Sequence, residues 1–385
     1  MPAKGDGITK RKDGRYVGRY TIHTPDGPKR KVIYGRKYKE VERKLAEARG
    51  DAARGIVFDA KAQTVAKWLE RWLEDVVKPN RSHRTYTSHR QQVRSHVVPA
   101  IGRIKLEALR KAHIDHVYAH LLREKPEGAG LAASSVRRVH AVLHAGLEEA
   151  VRGDLIPRNP AAHANKPKVR QQEIKPLDAH QARAFLEAAR GDRHEALYVL
   201  CLTAGLRQGE ALGLRWSDID LEAGTLRINR QLQRVRRDGD KSGTLEFSEP
   251  KNASRRAVGF PSRAVRALGE HRKRQLEAKF RAGSDWQDLG LVFTTSKGTP
   301  LEAQNIVNRS FKPLLERAGL PPIRFHDLRH SCLSLLAQRG EPIRDLQALA
   351  GHATASFTLQ RYTHHYDASA RRTADAMGDI LPNEP

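Results

Sequence analysis

The sequence predicts a multidomain, mainly α-helical protein with small β-sheets, and three observations carry that expectation. Val65, Trp68, Leu69, Trp72, Leu73 and Val76 recur at helical spacing. Near the N-terminus, Arg15-Tyr16-Val17-Gly18-Arg19-Tyr20-Thr21-Ile22 alternates in the manner of a strand, ahead of a Pro25-Asp26-Gly27 turn signal. From Ala164 to Lys175 the chain is polar, Lys-rich and interrupted by Pro167, the composition of a linker. A chain of 385 residues has room for two or three domains. These marks divide it into units at 1–60, 62–165 and 176–385.

The first unit reads as a small β-sheet plus one helix. After the Arg15–Ile22 strand, Lys31-Val32-Ile33-Tyr34-Gly35 supplies a second. Lys39 to Ala48 then reads as a helix with Val41, Leu45 and Ala48 on one face. Residues 1–39 hold twelve Lys/Arg against three Asp, a net of +9. A short basic sheet backed by a helix suits a DNA groove, which makes Arg15, Arg19 and Lys31 candidate DNA contacts.

The second unit is helical. Its first helix ends at Pro79-Asn80, and further helices are expected at about 82–97, 112–124 and 133–151. Arg84, Arg90, Arg94, Arg137 and Arg138 stand on exposed faces, as backbone-phosphate contacts would. His140 and His144 are four apart, a spacing two metal ligands could use. No acidic residue joins that motif, so packing or phosphate contact is the better expectation.

The third unit is α-rich with a β-hairpin. Helices begin near Asp178, an N-cap candidate, and near Glu195. A strand pair spans Thr225 to about Val258, and helices run from there to the end.

Composition limits the function classes. A formal charge of +26 and a pI near 10.3 imply a polyanionic partner, with nucleic acid in the lead. The 39% of hydrophobic residues suffices for cores of domain size. Cys201 and Cys332 are the two cysteines, both in apolar stretches, and are expected to be buried thiols rather than a disulfide or zinc framework. The N-terminal residues lack a signal-type apolar core, and no run approaches ~18 apolar residues, so a cytoplasmic protein without a membrane span is expected. There is no Gly-rich phosphate loop, no His-Glu-x-x-His motif and no acidic cluster of two-metal type. No metal or nucleotide cofactor is expected.

Chemistry-bearing residues concentrate in the third unit. Arg207 lies in Thr203-Ala204-Gly205-Leu206-Arg207-Gln208-Gly209-Glu210, where a three-residue helical spacing lets Glu210 orient it. His326, Arg329 and His330 share one helical face in His326-Asp327-Leu328-Arg329-His330. His352 follows Gly351, and Tyr362 stands ten residues after His352. Arginine forks match phosphate oxygens, histidine moves protons near neutral pH, and tyrosine can be a covalent nucleophile. The set suggests attack of a tyrosine on a phosphodiester.

Several separate motifs in this order resemble the tyrosine recombinase (phage integrase) family over most of residues 176–366. The resemblance implies that Arg207 and Arg329 clamp the scissile phosphate, that His326 and His352 are the active-site histidines, and that Tyr362 is the nucleophile, ahead of Tyr366. It also implies a lysine general acid in a β-hairpin turn. Lys251, in Glu249-Pro250-Lys251-Asn252, fits that place, with Lys241 as the fallback. The fold implied is an arm-type DNA-binding domain at 1–60, a helical core-type DNA-binding domain at 62–165 and an α-rich catalytic domain at 176–385. The activity implied is site-specific DNA recombination through a 3′-phosphotyrosine intermediate, by a homo-tetramer on core and arm attachment sites, passing through a Holliday junction. An excisionase and a host DNA-bending protein are the accessory partners implied. A type IB topoisomerase-like strand relaxation and a non-catalytic DNA-binding regulator are the alternative readings. The separate basic N-terminal unit counts against the first and the complete set of reactive residues against the second.

Overall fold

The computed structural model describes residues 7–24, 27–53, 63–169, 176–237, 242–250 and 255–351. The chain forms two compact units, residues 1–171 and 172–385.

The first unit opens with an antiparallel sheet of β1 (Ile8–Lys10), β2 (Tyr16–Thr24) and β3 (Gly27–Gly35), in that order. The sequence predicted two of these strands. β1 is too short, at three residues, for alternation to reveal it. Helix α1 (Tyr38–Ala53) buries Val41 and Leu45 against the sheet, as its apolar stripe requires. A Cβ at Gly18 would lie 3.1 Å from Val41 Cγ1, so this glycine lets helix and strand approach. Residues opposite each other in register share a face. Arg19 opposes Val32, Val17 opposes Tyr34 and Thr21 opposes Arg30, on the face turned away from α1. Tyr20 and Lys31 share the α1 face with Gly18 and Ile33.

The helical part begins with α2 (Val65–Trp72), whose N-cap Thr64 accepts from Lys67 N. It runs on through a π-helical turn, Leu73–Val77, into α3 (Lys78–Asn80). Val76 packs partly buried against the core as the stripe predicts, and Val77 is buried beside it. Helix α4 (His83–Gln92) also passes through a π-helical turn, Val93–Val97, into α5 (Val98–Ile101). Helices α6 (Lys111–Leu122) and α7 (Ala133–Arg152) complete the unit. Trp68 Nε1 donates to Gly146 O at 2.7 Å, and a Cβ on Gly146 would sit 2.6 Å from Leu69 Cδ2, so α7 crosses α2 at a glycine.

The second unit starts at α8 (Ala179–Ala188), where Asp178 and Gln181 form a reciprocal capping box, as the N-cap reading of Asp178 anticipates. The almost wholly buried α9 (Glu195–Thr203) leads to α10 (Gln208–Leu212). Five short strands follow: β4 (Ile219–Asp220), β5 (Thr225–Ile228), β6 (Gln231–Val235), β7 (Thr244–Ser248) and β8 (Arg256–Gly259). β4, β5 and β8 make one antiparallel sheet, and β6 with β7 makes a separate hairpin. The expected single strand pair between Thr225 and Val258 is therefore corrected to four strands. A hairpin is inserted between β5 and its true partner β8. Strands of four or five residues, broken at Asn229-Arg230, carry too little alternation to reveal this pairing. Helix α11 (Ser262–Ala282) packs on α9, followed by α12 (Ala303–Ile306), a π-helical turn Val307–Phe311 and α13 (Lys312–Arg317). Helices α14 (Asp327–Arg339) and α15 (Ile343–Ala350) close the described chain. The core joins Phe185, Leu197, Leu200, Phe311, Leu314 and Leu328. Cys201 and Cys332 are buried and free. Among the described residues, no helix is long and apolar enough to cross a membrane.

Candidate active site

Between α9 and α10 the chain turns at Gly205, whose φ of +61° suits glycine. Arg207 thereby becomes the N-cap of α10 and Glu210 its third residue. Arg207 N donates to Glu210 Oε2 at 3.0 Å, and Arg207 Nη1 donates to Glu210 Oε1 at 2.6 Å. The carboxylate is buried. Burial alone would push its pKa up, but hydrogen bonds and charge from Arg256, joined by Arg207, hold it below the usual carboxylate range. Glu210 thus fixes one edge of the Arg207 fork, while the Arg207 side chain stays 27% exposed.

Arg329 stands in the first turn of α14 and is 1% exposed. Its Nη1 donates to Gly205 O at 2.6 Å and its Nη2 to Ala350 O. Arg207 Nη2 donates to the next carbonyl, Gly351 O, at 3.3 Å. The two arginines, 122 positions apart in sequence, therefore meet at the C-terminal end of α15. His326 is the N-cap residue of α14. Its ring reaches solvent on one side, yet the protein around the other side, then the charges of Arg329 and Arg207, push its pKa down to about 4. His326 is neutral at pH 7 and can accept a proton or a hydrogen bond. His330 packs edge-on against it, ring centroids 4.9 Å apart. Asp327 is tied down by Arg324, whose backbone N donates at 2.8 Å and Nη2 at 2.7 Å.

Arg256, at the start of β8, is a member of this cluster that sequence reasoning did not single out. Its Nη2 donates to Glu210 Oε2 at 2.9 Å and its Nε to Leu349 O at 2.9 Å. Its neighbour Arg255 is 62% exposed and pairs with Glu249. The start of β8 decides which of the two adjacent arginines points inward, and the missed hairpin concealed that start.

His352, Tyr362, Tyr366, Lys251 and Lys241 lie outside the described residues. Lys241 falls between β6 and β7 in sequence, and Lys251 between β7 and β8. Arg15 is exposed beside Asp13, and Arg19 is exposed on β2. Lys31 is half-buried, on the α1 face of the sheet. Arg84 and Arg137 are exposed, while Arg90 lies over the Tyr86 ring at 5.6 Å. Arg94 is held bidentately by Glu70, at 2.8 and 2.9 Å. His140 is buried and hydrogen-bonded to Tyr118 Oη at 2.9 Å, a packing role. Among the described residues, no group of three or more His, Cys, Asp or Glu is disposed to hold a metal ion.

Comparison with known proteins agrees with this arrangement. The model described as "Phage integrase family" matches residues 175–369, just over half of the chain, and "Phage integrase, N-terminal SAM-like domain" matches residues 64–122. A XerC-like tyrosine recombinase of Caldanaerobacter subterraneus is 29% identical over 367 residues, covering 91% of this chain and 92% of its own. The fold is shared with a Tn1549 transposon integrase solved with circular intermediate DNA, at a TM-score of 0.68 and 21% identity over 82% of this chain and 99% of that one. It is also shared with a lambda integrase tetramer solved on a Holliday junction, at 0.56 and 17% over 92% and 97%. The chain belongs to the phage integrase family of tyrosine recombinases, enzymes that cleave and rejoin DNA in site-specific recombination.

Proposed function

We propose that this protein is the integrase of a temperate phage or related mobile element, acting through Tyr362. The observation that supports the reading most is the meeting of Arg207 and Arg329 on consecutive carbonyls, Gly351 and Ala350, immediately before His352 in sequence. In this reading the Tyr362 hydroxyl oxygen attacks the scissile phosphorus, and its proton passes to a histidine. Neutral His326 is available as acceptor or hydrogen-bonding partner. Arg207, Arg329 and His352 stabilise the charge on the pentacoordinate phosphate. The bond to the 5′ oxygen breaks, and Lys251 gives that oxygen its proton. The product is a 3′-phosphotyrosine link and a free 5′ hydroxyl, which a partner strand's 5′ hydroxyl can reverse.

The same reading assigns residues 62–165 to core-site binding, 176–385 to catalysis and 1–60 to arm-site binding. In the sheet, Arg19, Arg30, Val32 and Tyr34 are exposed and point away from α1. This basic, partly apolar face suits a DNA groove better than the Lys31 face. Arg84 and Arg137 are available for phosphate contact, and Arg90 and Arg94 would have to share with Tyr86 and Glu70. Four protomers exchanging strands in pairs, an excisionase, a host DNA-bending protein and action in the bacterial cytoplasm belong to this proposal.

A nicked suicide duplex carrying the element's own attachment core tests it. The wild-type protein should accumulate a covalent protein–DNA adduct. Tyr362→Phe should bind the duplex normally and form none. Adduct formed by Tyr362→Phe but lost in Tyr366→Phe would move the nucleophile four residues along the chain.

A further inference from the structure

Arg256 is largely buried beside the proposed phosphate clamp. Its side chain is 9% exposed, and its Nη1 and Nη2 reach Glu210 Oε1 and Oε2 at 3.2 and 2.9 Å. Its Nε donates to Leu349 O at 2.9 Å. Three consecutive carbonyls at the end of α15, those of Leu349, Ala350 and Gly351, therefore accept from Arg256, Arg329 and Arg207 in turn. The last carbonyls of a helix lack intrahelical donors and form the negative end of its dipole, so they suit guanidinium groups. Gly351 completes the fit. Its φ is +55°, and a Cβ there would lie 2.9 Å from Arg256 Nη1 and 3.2 Å from its Cζ. Glycine is needed both for the turn and for the space that Arg256 fills.

We propose that Arg256 is a positioning residue for DNA cleavage. Through Glu210 it fixes Arg207, and through the α15 carbonyls it sets Arg207 and Arg329 at a defined separation. Arg256 itself does not touch the phosphate. It also begins the strand that follows the Lys251 segment in sequence, so one side chain ties the exit of that segment to the Arg207 box. The inference depends on the reading of Arg207 and Arg329 as phosphate clamps.

The test uses the full chain and two nicked suicide duplexes, one with an ordinary scissile phosphate and one with a methylphosphonate there. The methylphosphonate is neutral and needs no arginine clamp, whereas attack and leaving-group departure remain. Arg256→Met should bind core DNA with the wild-type Kd and cleave the phosphate about 10–100-fold more slowly, the range for a partner that orients a functional side chain. It should regain most of that loss on the methylphosphonate, in parallel with Arg207→Ala. Arg256→Lys should fall between, because one ammonium cannot span both carboxylate oxygens and a carbonyl. Should Arg256→Met fail to fold, Arg256→Lys is compared on the same two substrates. An Arg256 variant equally slow on both substrates while Arg207→Ala is rescued would reduce Arg256 to scaffolding and overturn the proposal. A raised Kd with an unchanged rate in the complex would make it a DNA contact and also overturn it. No rescue of Arg207→Ala would instead show that the clamp reading beneath the proposal is wrong.

Discussion

Replacing Glu210 with alanine removes a carboxylate that two arginines share. Four hydrogen bonds end on it: from Arg207 N, Arg207 Nη1, Arg256 Nη1 and Arg256 Nη2. Its side chain is 1% exposed, so their loss strands positive charge in the interior. Breaking a buried pair from one side costs ~3–5 kcal/mol. Arg207 keeps a water-facing edge, which places the cost near the lower end, about 3 kcal/mol. In a unit of this size each kcal/mol moves the midpoint by about 2–4 °C, so Glu210→Ala should lower it by about 6–12 °C at pH 7. The difference should narrow in acid. Glu210's folded pKa is depressed, so its contribution is full above the ordinary carboxylate pKa and is lost as pH falls through the lowered value. Cleavage should suffer separately, because Arg207 loses the group that orients it. At a temperature where the variant is folded, single-turnover cleavage of the suicide duplex should slow by about 10–100-fold. Calorimetry at pH 7 and at acid pH supplies the first measurement and adduct formation the second. A midpoint within about 1 °C of wild type, together with normal cleavage, would refute the anchoring role.

Two further outcomes are expected. In the free protein, an NMR titration of His326 should have its midpoint near 4. Because the unfolded chain takes up this proton first, His326 contributes stability that is lost as pH falls from the ordinary histidine value toward 4, and His326→Gln should remove that dependence. A midpoint at or above the ordinary value would mean that neither burial nor the two arginines acts on the ring. In the N-terminal sheet, Arg19→Ala and Tyr34→Ala should weaken protection of arm sites in footprinting by about tenfold each, while Lys31→Ala changes it less. The reverse order would put the α1 face of the sheet on DNA.

What the sequence discloses follows from how local the cause is. The stripe from Val65 to Leu73 and the Asp178 cap are decided within a turn or two, and the helices form where the pattern places them. The π-helical turn at Leu73–Val77 adds a residue to one turn, which a fixed helical period cannot anticipate, and Val77 is buried in addition to the half-buried Val76. The β5–β8 pairing joins strands 28 residues apart at the register Arg227 to Ala257. The hairpin between them offers a nearer and more obvious partner. Arg207 and Glu210 are legible because one helical turn unites them. Arg256 depends on that long-range pairing, and its partners lie 46 and 93 positions away.

Three guanidiniums gathered at one helix end raise the question of what holds them together before DNA arrives. Among the described residues, Arg207, Arg256 and Arg329 bring three positive charges, and Glu210 binds two of them, while His326 is neutral at pH 7. The carbonyl end of α15 supplies roughly half a negative charge. It does so through hydrogen bonds to each arginine, which spares the cluster much of its self-repulsion. A phosphodiester carries about one negative charge at rest and about two when pentacoordinate, so the attraction of these guanidiniums grows as that charge develops. Interactions that strengthen as charge develops lower the barrier, whereas those equal in both states only tighten binding. A further carboxylate in the cluster would steady the resting protein and blunt that difference. A helix end, bearing partial charge on oriented carbonyls, holds the arginines while leaving most of their charge for the phosphate.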